Sequence, residues 1–180
     1  NFHALDLAET VTVLPIENNE NQCMITFLDD ATGADPFETV DWAFDNVYIG
    51  VGTSGFQPNV IVYEFDGTGL SQVEIVTPPG FSVDVNAVRW HPSEYFLAVG
   101  IAVSFLGGSE LHIYSFNPGT NTLTLVSSDV VPGAVTALAW RPDGDYLVVG
   151  TDATTEEIKL YPVSGTGVLG ASVDINIAPD

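Results

Sequence analysis

The sequence predicts an all-β chain built from one four-stranded antiparallel unit used three times. The tryptophans Trp42, Trp90 and Trp140 are the only ones in 180 residues, and they fall 48 and 50 residues apart. Ten positions after each comes a glycine: Gly52, Gly100 and Gly150. A tyrosine then sits inside a β-prone run each time: Tyr63 in "VIVYEF", Tyr114 in "LHIYSF" and Tyr161 in "IKLYPV". Anchors in one order at a near-constant period mark a structural repeat. Gly and Pro interrupt the chain too often for a long amphipathic helix.

Each unit follows the same order. A first short strand ends at the tryptophan ("ETVDW", "NAVRW", "TALAW"). A tight turn follows ("AFDN", "HPSE", "RPDGD"), in which Pro142 fixes φ and Asp143-Gly144 tolerate a hairpin geometry. The second strand ("VYIGVG", "YFLAVG", "YLVVG") is almost wholly apolar, as a strand buried on both faces should be. A polar loop leads to the tyrosine strand, and a last turn ("DGTG", "NPGTN", "SGTG") opens a fourth run. Four short antiparallel strands in about 50 residues is the pattern of a β-propeller blade. One such sheet cannot bury both faces alone, so blades stack face to face. The expected organisation is three complete blades plus part of a preceding one. Residues 1–18 read as outer strands of that preceding blade and 19–37 as an insertion. Residues 38–80, 81–132 and 133–180 read as the three blades.

The stretch "VTALAWRPDGDYLVVGTD…IKLYPV" resembles a WD40-type repeat, and the resemblance extends over roughly residues 38–177. It departs from that family in lacking the opening Gly-His pair and in carrying "YEF", "YSF" and "YPV" where the family has Trp-Asp. The chain therefore reads as a divergent relative. "IYSFNPGTNTLTLVSS" is similar to lactonase-like propeller repeats as well. The WD40 resemblance implies a non-catalytic scaffold that binds proteins through its rim loops; the lactonase resemblance implies an enzyme, ranked third. The second-ranked reading is a structural subunit of an extracellular or particle-surface assembly.

Composition narrows the partners. Asp and Glu total 24 but Lys and Arg only three, giving a net charge of −21 that comes from missing bases. Such a chain repels phosphate backbones and anionic bilayers, which excludes nucleic acid and disfavours membrane surfaces. No apolar run reaches the roughly 18–20 residues of a membrane span. The single cysteine, Cys23, reads as a small buried apolar residue and permits no intrachain disulfide. Compartment stays open, with an extracellular or surface setting slightly favoured over the cytoplasm. The opening "NFHALDL" lacks Met and signal-like character, so a processed, cut or partial N-terminus is expected.

Closed propellers typically have about four to eight blades, so this chain holds too few. A stack of three would expose an apolar face at each end. The chain is then part of a longer propeller, or it closes with copies of itself or another chain, or it builds an open assembly.

The candidate contact loop is the β-to-β connection "IAVSFLGGSE", with Phe105, Leu106, Gly107 and Gly108 as its binding residues. "LDDATGADPFE" places Asp29, Asp30, Asp35 and Glu38 around Gly33, oxygen donors that could hold Ca²⁺ although the spacing fits no EF-hand. Asp41 and Arg89 occupy equivalent positions, each one residue before a tryptophan, and are expected to pair at the channel or the blade interface. Trp42, Trp90 and Trp140 are expected in the core. His3, His91 and His112 lack zinc spacing and read as surface or strand residues. No nucleophile elbow occurs, and "GTGVLG" lies in a strand-to-strand turn and not before a helix, so no catalytic residue is assigned.

Overall fold

The computed structural model describes residues 36–55, 60–79, 84–103, 108–154 and 157–175. These form twelve strands in three four-stranded antiparallel sheets, each ordered as the chain runs. The first blade is β1 (Phe37–Trp42), β2 (Tyr48–Thr53), β3 (Val60–Phe65) and β4 (Leu70–Val76). The second is β5 (Val85–Trp90), β6 (Phe96–Ile101), β7 (Leu111–Asn117) and β8 (Thr122–Asp129). The third is β9 (Val135–Trp140), β10 (Tyr146–Thr151), β11 (Ile158–Pro162) and β12 (Val173–Ile175). The chain is thus a run of three β-propeller blades.

The turns form as their residues dictate. Gly144 adopts φ +84° and its N–H donates to the Arg141 carbonyl at 2.8 Å, a conformation a side chain would resist. In the equivalent turn of blade 1 a non-glycine, Asn46, takes the left-handed conformation, at φ 60°, which Asn tolerates better than most residues. Each first strand carries a bulge near its start: after Phe37, after Val85, and where Val135 meets Thr151. The extra residue re-aims the strand end toward its neighbour. The fourth strand of blade 3 is shorter than the sequence implies. Among the described residues Val173–Ile175 pair with β11, and in the preceding "GVLGAS" stretch Leu169 forms an isolated bridge to Val163 instead.

The core lies between blades. Val88, Leu97 and Val99 of blade 2 are fully buried against Val60 and Val62 of blade 1. On the other side Ala98, Leu111 and Ile113 are buried against Val135, Leu138, Leu147 and Tyr161 of blade 3. Each fully buried aliphatic side chain contributes about 1.5–3 kcal/mol, so blade 2, sandwiched on both faces, anchors the stack. Its second strand is buried nearly throughout, whereas in β10 Tyr146 and Gly150 are half-buried and Val148 is exposed.

Candidate interaction surface

Successive blades meet through a recurring joint. The second-strand glycines lie under the next blade: a Cβ on Gly52 would collide with Val85, and one on Gly100 with Val135. These glycines leave room for the β-branched side chain that begins the next blade. Gly150, the third member, would meet only Ala137 and Thr136 of its own blade, at 3.5 Å and beyond.

Polar groups complete the joints. Between blades 1 and 2, the Trp90 N–H donates to Asp41 Oδ2 at 2.7 Å and the Val88 N–H to Thr39 Oγ1 at 3.3 Å. The Tyr95 hydroxyl donates to Asp45 Oδ2 at 2.8 Å, and the Leu123 N–H to Glu74 Oε2 at 3.3 Å. The Asp45 carboxylate, helped by burial, holds the Tyr95 phenol up at about 12. Between blades 2 and 3, Trp140 Nε1 donates to the Arg89 carbonyl at 3.0 Å and Asn86 Nδ2 to the Val135 carbonyl at 3.0 Å. The Tyr161 hydroxyl donates to Asp129 Oδ2 at 2.8 Å, and the Leu169 N–H to Ser127 Oγ at 3.3 Å.

His91 joins the same boundary. Its Nδ1 accepts the N–H groups of Ser93 and Glu94 at 3.2 and 3.0 Å, so Nε2 carries the proton and donates to the Gly144 carbonyl at 3.2 Å. Burial lowers its pKa, keeping the ring neutral. His112, inside β7 and 1% exposed, is held down at about 4 by burial, and its Nδ1 has no hydrogen-bond partner. Neither histidine is a surface residue, contrary to the first alternative read for them, because both face packed blades.

The other sequence-derived residues fall as follows. The expected Asp41–Arg89 pair takes a different form. Asp41 spends its carboxylate on the Trp90 backbone, while the Arg89 guanidinium donates to the Val88 carbonyl at 2.7 Å. Burial raises the Asp41 pKa, with the Trp90 N–H and the Arg89 charge acting against it. Trp90 is buried, with its Nε1 unpartnered, and Trp140 is half-buried, packed on His91 at 4.8 Å. Trp42, expected in the core, is 36% exposed and packs edge to face on Phe65 of its own blade, ring centroids 5.9 Å apart. Phe105, Leu106 and Gly107 lie outside the described residues, as do Asp29, Asp30, Asp35, His3 and Cys23; Gly108 is exposed. Glu38 Oε1 accepts from Ser54 Oγ at 2.6 Å. Among the described residues no group of three or more His, Cys, Asp or Glu converges as a metal site would.

Sequence reasoning missed Asp45, Glu74, His91 and Asp129 as joint residues. Several cross-blade bonds nevertheless span 49 to 51 residues, one repeat length: Thr39–Val88, Asp41–Trp90, Asp45–Tyr95, Glu74–Leu123, Asn86–Val135 and Arg89–Trp140. Polar residues one period from a donor or acceptor were the available signal.

The back of blade 3 lacks these polar anchors. Register places Ala137, Gly150, Ile158 and Ile175 in one row across the sheet, and Ala139, Val148, Leu160 and Val173 in the next. All eight are uncharged and apolar. The same rows in blade 1 hold Thr39, Asp41 and Glu74, and in blade 2 Arg89, Ser127 and Asp129. Val148, Val173 and Ile175 are 39%, 61% and 49% exposed.

Comparison with known proteins agrees with this architecture. Residues 110–155 match the family model "WD domain, G-beta repeat". That stretch runs from β7 through β10, so the sequence repeat straddles the boundary between blades 2 and 3. One WD40-like repeat, residues 110–155, is thus matched within the run of three propeller blades. No curated protein matches the sequence. Among solved structures, one similar fold is a protein assigned as a 6-phosphogluconolactonase from Bacteroides uniformis. It shows TM-score 0.73 and 16% identity, with 94% of this chain and 50% of that one covered. The periplasmic gluconolactonase of Pseudomonas aeruginosa gives 0.61 and 20%, covering 76% and 39%. Sqt1 of Saccharomyces cerevisiae gives 0.62 and 13%, covering 79% and 36%. This chain therefore spans half or less of the length of these structures.

Proposed function

We propose that this chain is a non-catalytic, WD40-like protein-interaction scaffold. The observation that carries this reading is the back of blade 3. On a chain of net charge −21, two full rows of a sheet present apolar residues and no charge. A face of this kind is suited to burial against another protein. The polar side chains that could serve chemistry between the blades are engaged in joining them: Asp41, Asp45, Asp129 and His91 each hold a backbone or tyrosine group across a boundary. The rim loop with Phe105, Leu106, Gly107 and Gly108 is a second proposed contact element.

The competing reading, a lactonase, draws on the likeness to two gluconolactonase structures, which concerns the fold alone at 16–20% identity. Two measurements separate them. A photo-crosslinking residue at position 148 is expected to give a covalent adduct with protein, and the purified chain to leave a chromogenic lactone intact, with or without added divalent cations. Steady turnover together with no adduct at position 148 would overturn the scaffold reading.

A further inference from the structure

We propose that His91 is a proton-operated latch between the first turns of blades 2 and 3, closed while its ring is neutral and released when the ring is protonated. Release frees the rim of that joint and uncovers Trp140 without unfolding the blades.

The latch is a ring engaged at both nitrogens. His91 follows Trp90 in the turn that joins β5 to β6 and is 7% exposed. Its Nδ1 has one lone pair, and two backbone donors of the same turn, the Ser93 and Glu94 N–H groups, point at it. Its Nε2–H reaches across the boundary to the Gly144 carbonyl. The ring stands edge to face on Trp140 at 4.8 Å and on Phe96 at 5.9 Å. The turns of blade 3 fit closely around this pair: a Cβ on Gly144 would collide with the His91 ring, and one on Gly167 with the Phe96 ring. Proton uptake undoes the arrangement at one atom. A protonated Nδ1 is a donor, set against two other donors that then have no acceptor. Turning Nδ1 away from them pulls Nε2 off the Gly144 carbonyl, because one rigid ring makes both contacts.

The surroundings set the direction of the switch. Burial lowers the pKa of the ring; against it act the bond to Gly144 and the charges of Glu94, on its own turn, and Asp145, on the turn of blade 3. Burial prevails. Arg141, the remaining cation of the blade 3 turn, binds both Asp143 and Asp145 and so weakens their pull on the ring. Phe96 and Trp140, the other groups packed on it, are uncharged. In the open form the ring lies in water and takes up a proton near its ordinary value of about 6.5. The latch is therefore closed above about 6.5 and opens progressively as the pH falls below it. The first joint has no counterpart. The residue after Trp42 is the buried Ala43, and the turns there are clasped by the Tyr95 hydroxyl on Asp45. That phenol, held up at about 12, stays a donor at neutral and acid pH. Mild acid thus addresses the second boundary at a point where the first has no imidazole.

The test is hydrogen exchange of the full chain, read by NMR from about pH 7.5 to about pH 5 and corrected for the intrinsic pH dependence of exchange. The Ser93 and Glu94 N–H groups and the Trp140 indole N–H, which donates to the Arg89 carbonyl, should lose protection about fivefold or more. The Phe116 N–H, bonded to the Tyr95 carbonyl on the blade 1 side, should keep its protection. His91→Asn retains an acceptor for the turn and cannot take up the proton, so its Trp140 indole should be less protected at neutral pH and show no acid-dependent loss. His112→Leu should lose protection as the parent does, which separates the latch from the other buried histidine. In the parent the midpoint of the loss should coincide with the titration of the His91 ring nitrogens, and this decides the matter even where His91→Asn fails to fold. Unchanged protection down to about pH 5 overturns the proposal. So does an equal loss at Phe116, an equal loss in His91→Asn, or a midpoint that departs from the His91 titration.

Discussion

The Asp41 carboxylate accepts the Trp90 backbone N–H at 2.7 Å across the boundary between blades 1 and 2, 49 residues away in the chain. The bond ties the innermost strand of one blade to that of the next, and it uses an acceptor that is half-buried. Asp41→Ala leaves a buried N–H unpaired and should lower stability by about 1–3 kcal/mol. Asp41→Asn keeps an oxygen acceptor and removes the charge whose burial raises the Asp41 pKa, so its cost should stay under about 1 kcal/mol. Urea unfolding with an unchanged m-value is the measurement. Equal losses in both variants would mean that the charge, and not the acceptor, holds the joint.

Equivalent glycines should respond oppositely to one methyl group. A Cβ on Gly100 would collide with Val135 of the next blade, whereas one on Gly150 would meet Ala137 at an ordinary 3.5 Å. Gly100→Ala should therefore cost about 1–3 kcal/mol through overpacking. Gly150→Ala should fall within about 0.5 kcal/mol of the parent. Thermal and urea midpoints of the two variants against the parent measure the difference.

The repeat was legible because it is written in residues that architecture restricts. Trp90, Gly100 and Tyr114 each meet a need of a blade packed on both faces, and the same residue types recur at that spacing even where, as at Trp42 and Gly150, the contact differs. The joints were less legible because each boundary solves the same problem with different chemistry. At the position before the tryptophan, blade 1 offers the Asp41 side chain, blade 2 the Arg89 carbonyl to Trp140 Nε1, and blade 3 the bare Ala139. Pairing Asp41 with Arg89 by charge was reasonable, but a strand-edge carboxylate lies nearer to backbone donors than to a long guanidinium. The uncharged back of blade 3 needed the register, since no linear run contains Ala137, Gly150, Ile158 and Ile175.

The outer part of the second joint rests on Tyr161, fully buried, donating to Asp129 Oδ2 at 2.8 Å. Burial and the carboxylate both push the phenol above its ordinary range, so the hydroxyl stays protonated and remains a donor. Tyr161→Phe should cost about 1–2 kcal/mol. Asp129→Ala should cost more, since Asp129 Oδ1 also accepts the Val130 N–H at 3.0 Å. In the double-mutant cycle the two should couple by about 0.5–2 kcal/mol. Strict additivity would place the stability of this joint in apolar packing alone.

Acid should loosen the stack before it titrates most carboxylates, and His112 sets the window. Burial lowers its pKa from 6.5 to about 4 in the folded chain. Between those values the unfolded chain binds a proton that the folded chain refuses, so stability falls as pH drops from about 6.5 to about 4. Below about 4 both states hold the proton and this group adds no further loss. The full effect is about 2–4 kcal/mol. His91, also lowered by burial, acts in the same direction. Asp41, raised by burial, opposes them at the acid end, because its folded form takes up a proton more readily than the unfolded one. His112→Leu removes the ionisable ring together with an unpartnered buried Nδ1. It should leave stability at pH 8 similar or higher, since the lost polar atom has no bond to forfeit, and should flatten the fall between pH 6.5 and 4. Urea midpoints across pH 4–8 for parent and variant measure this directly. Parallel curves would assign the acid sensitivity to groups other than His112.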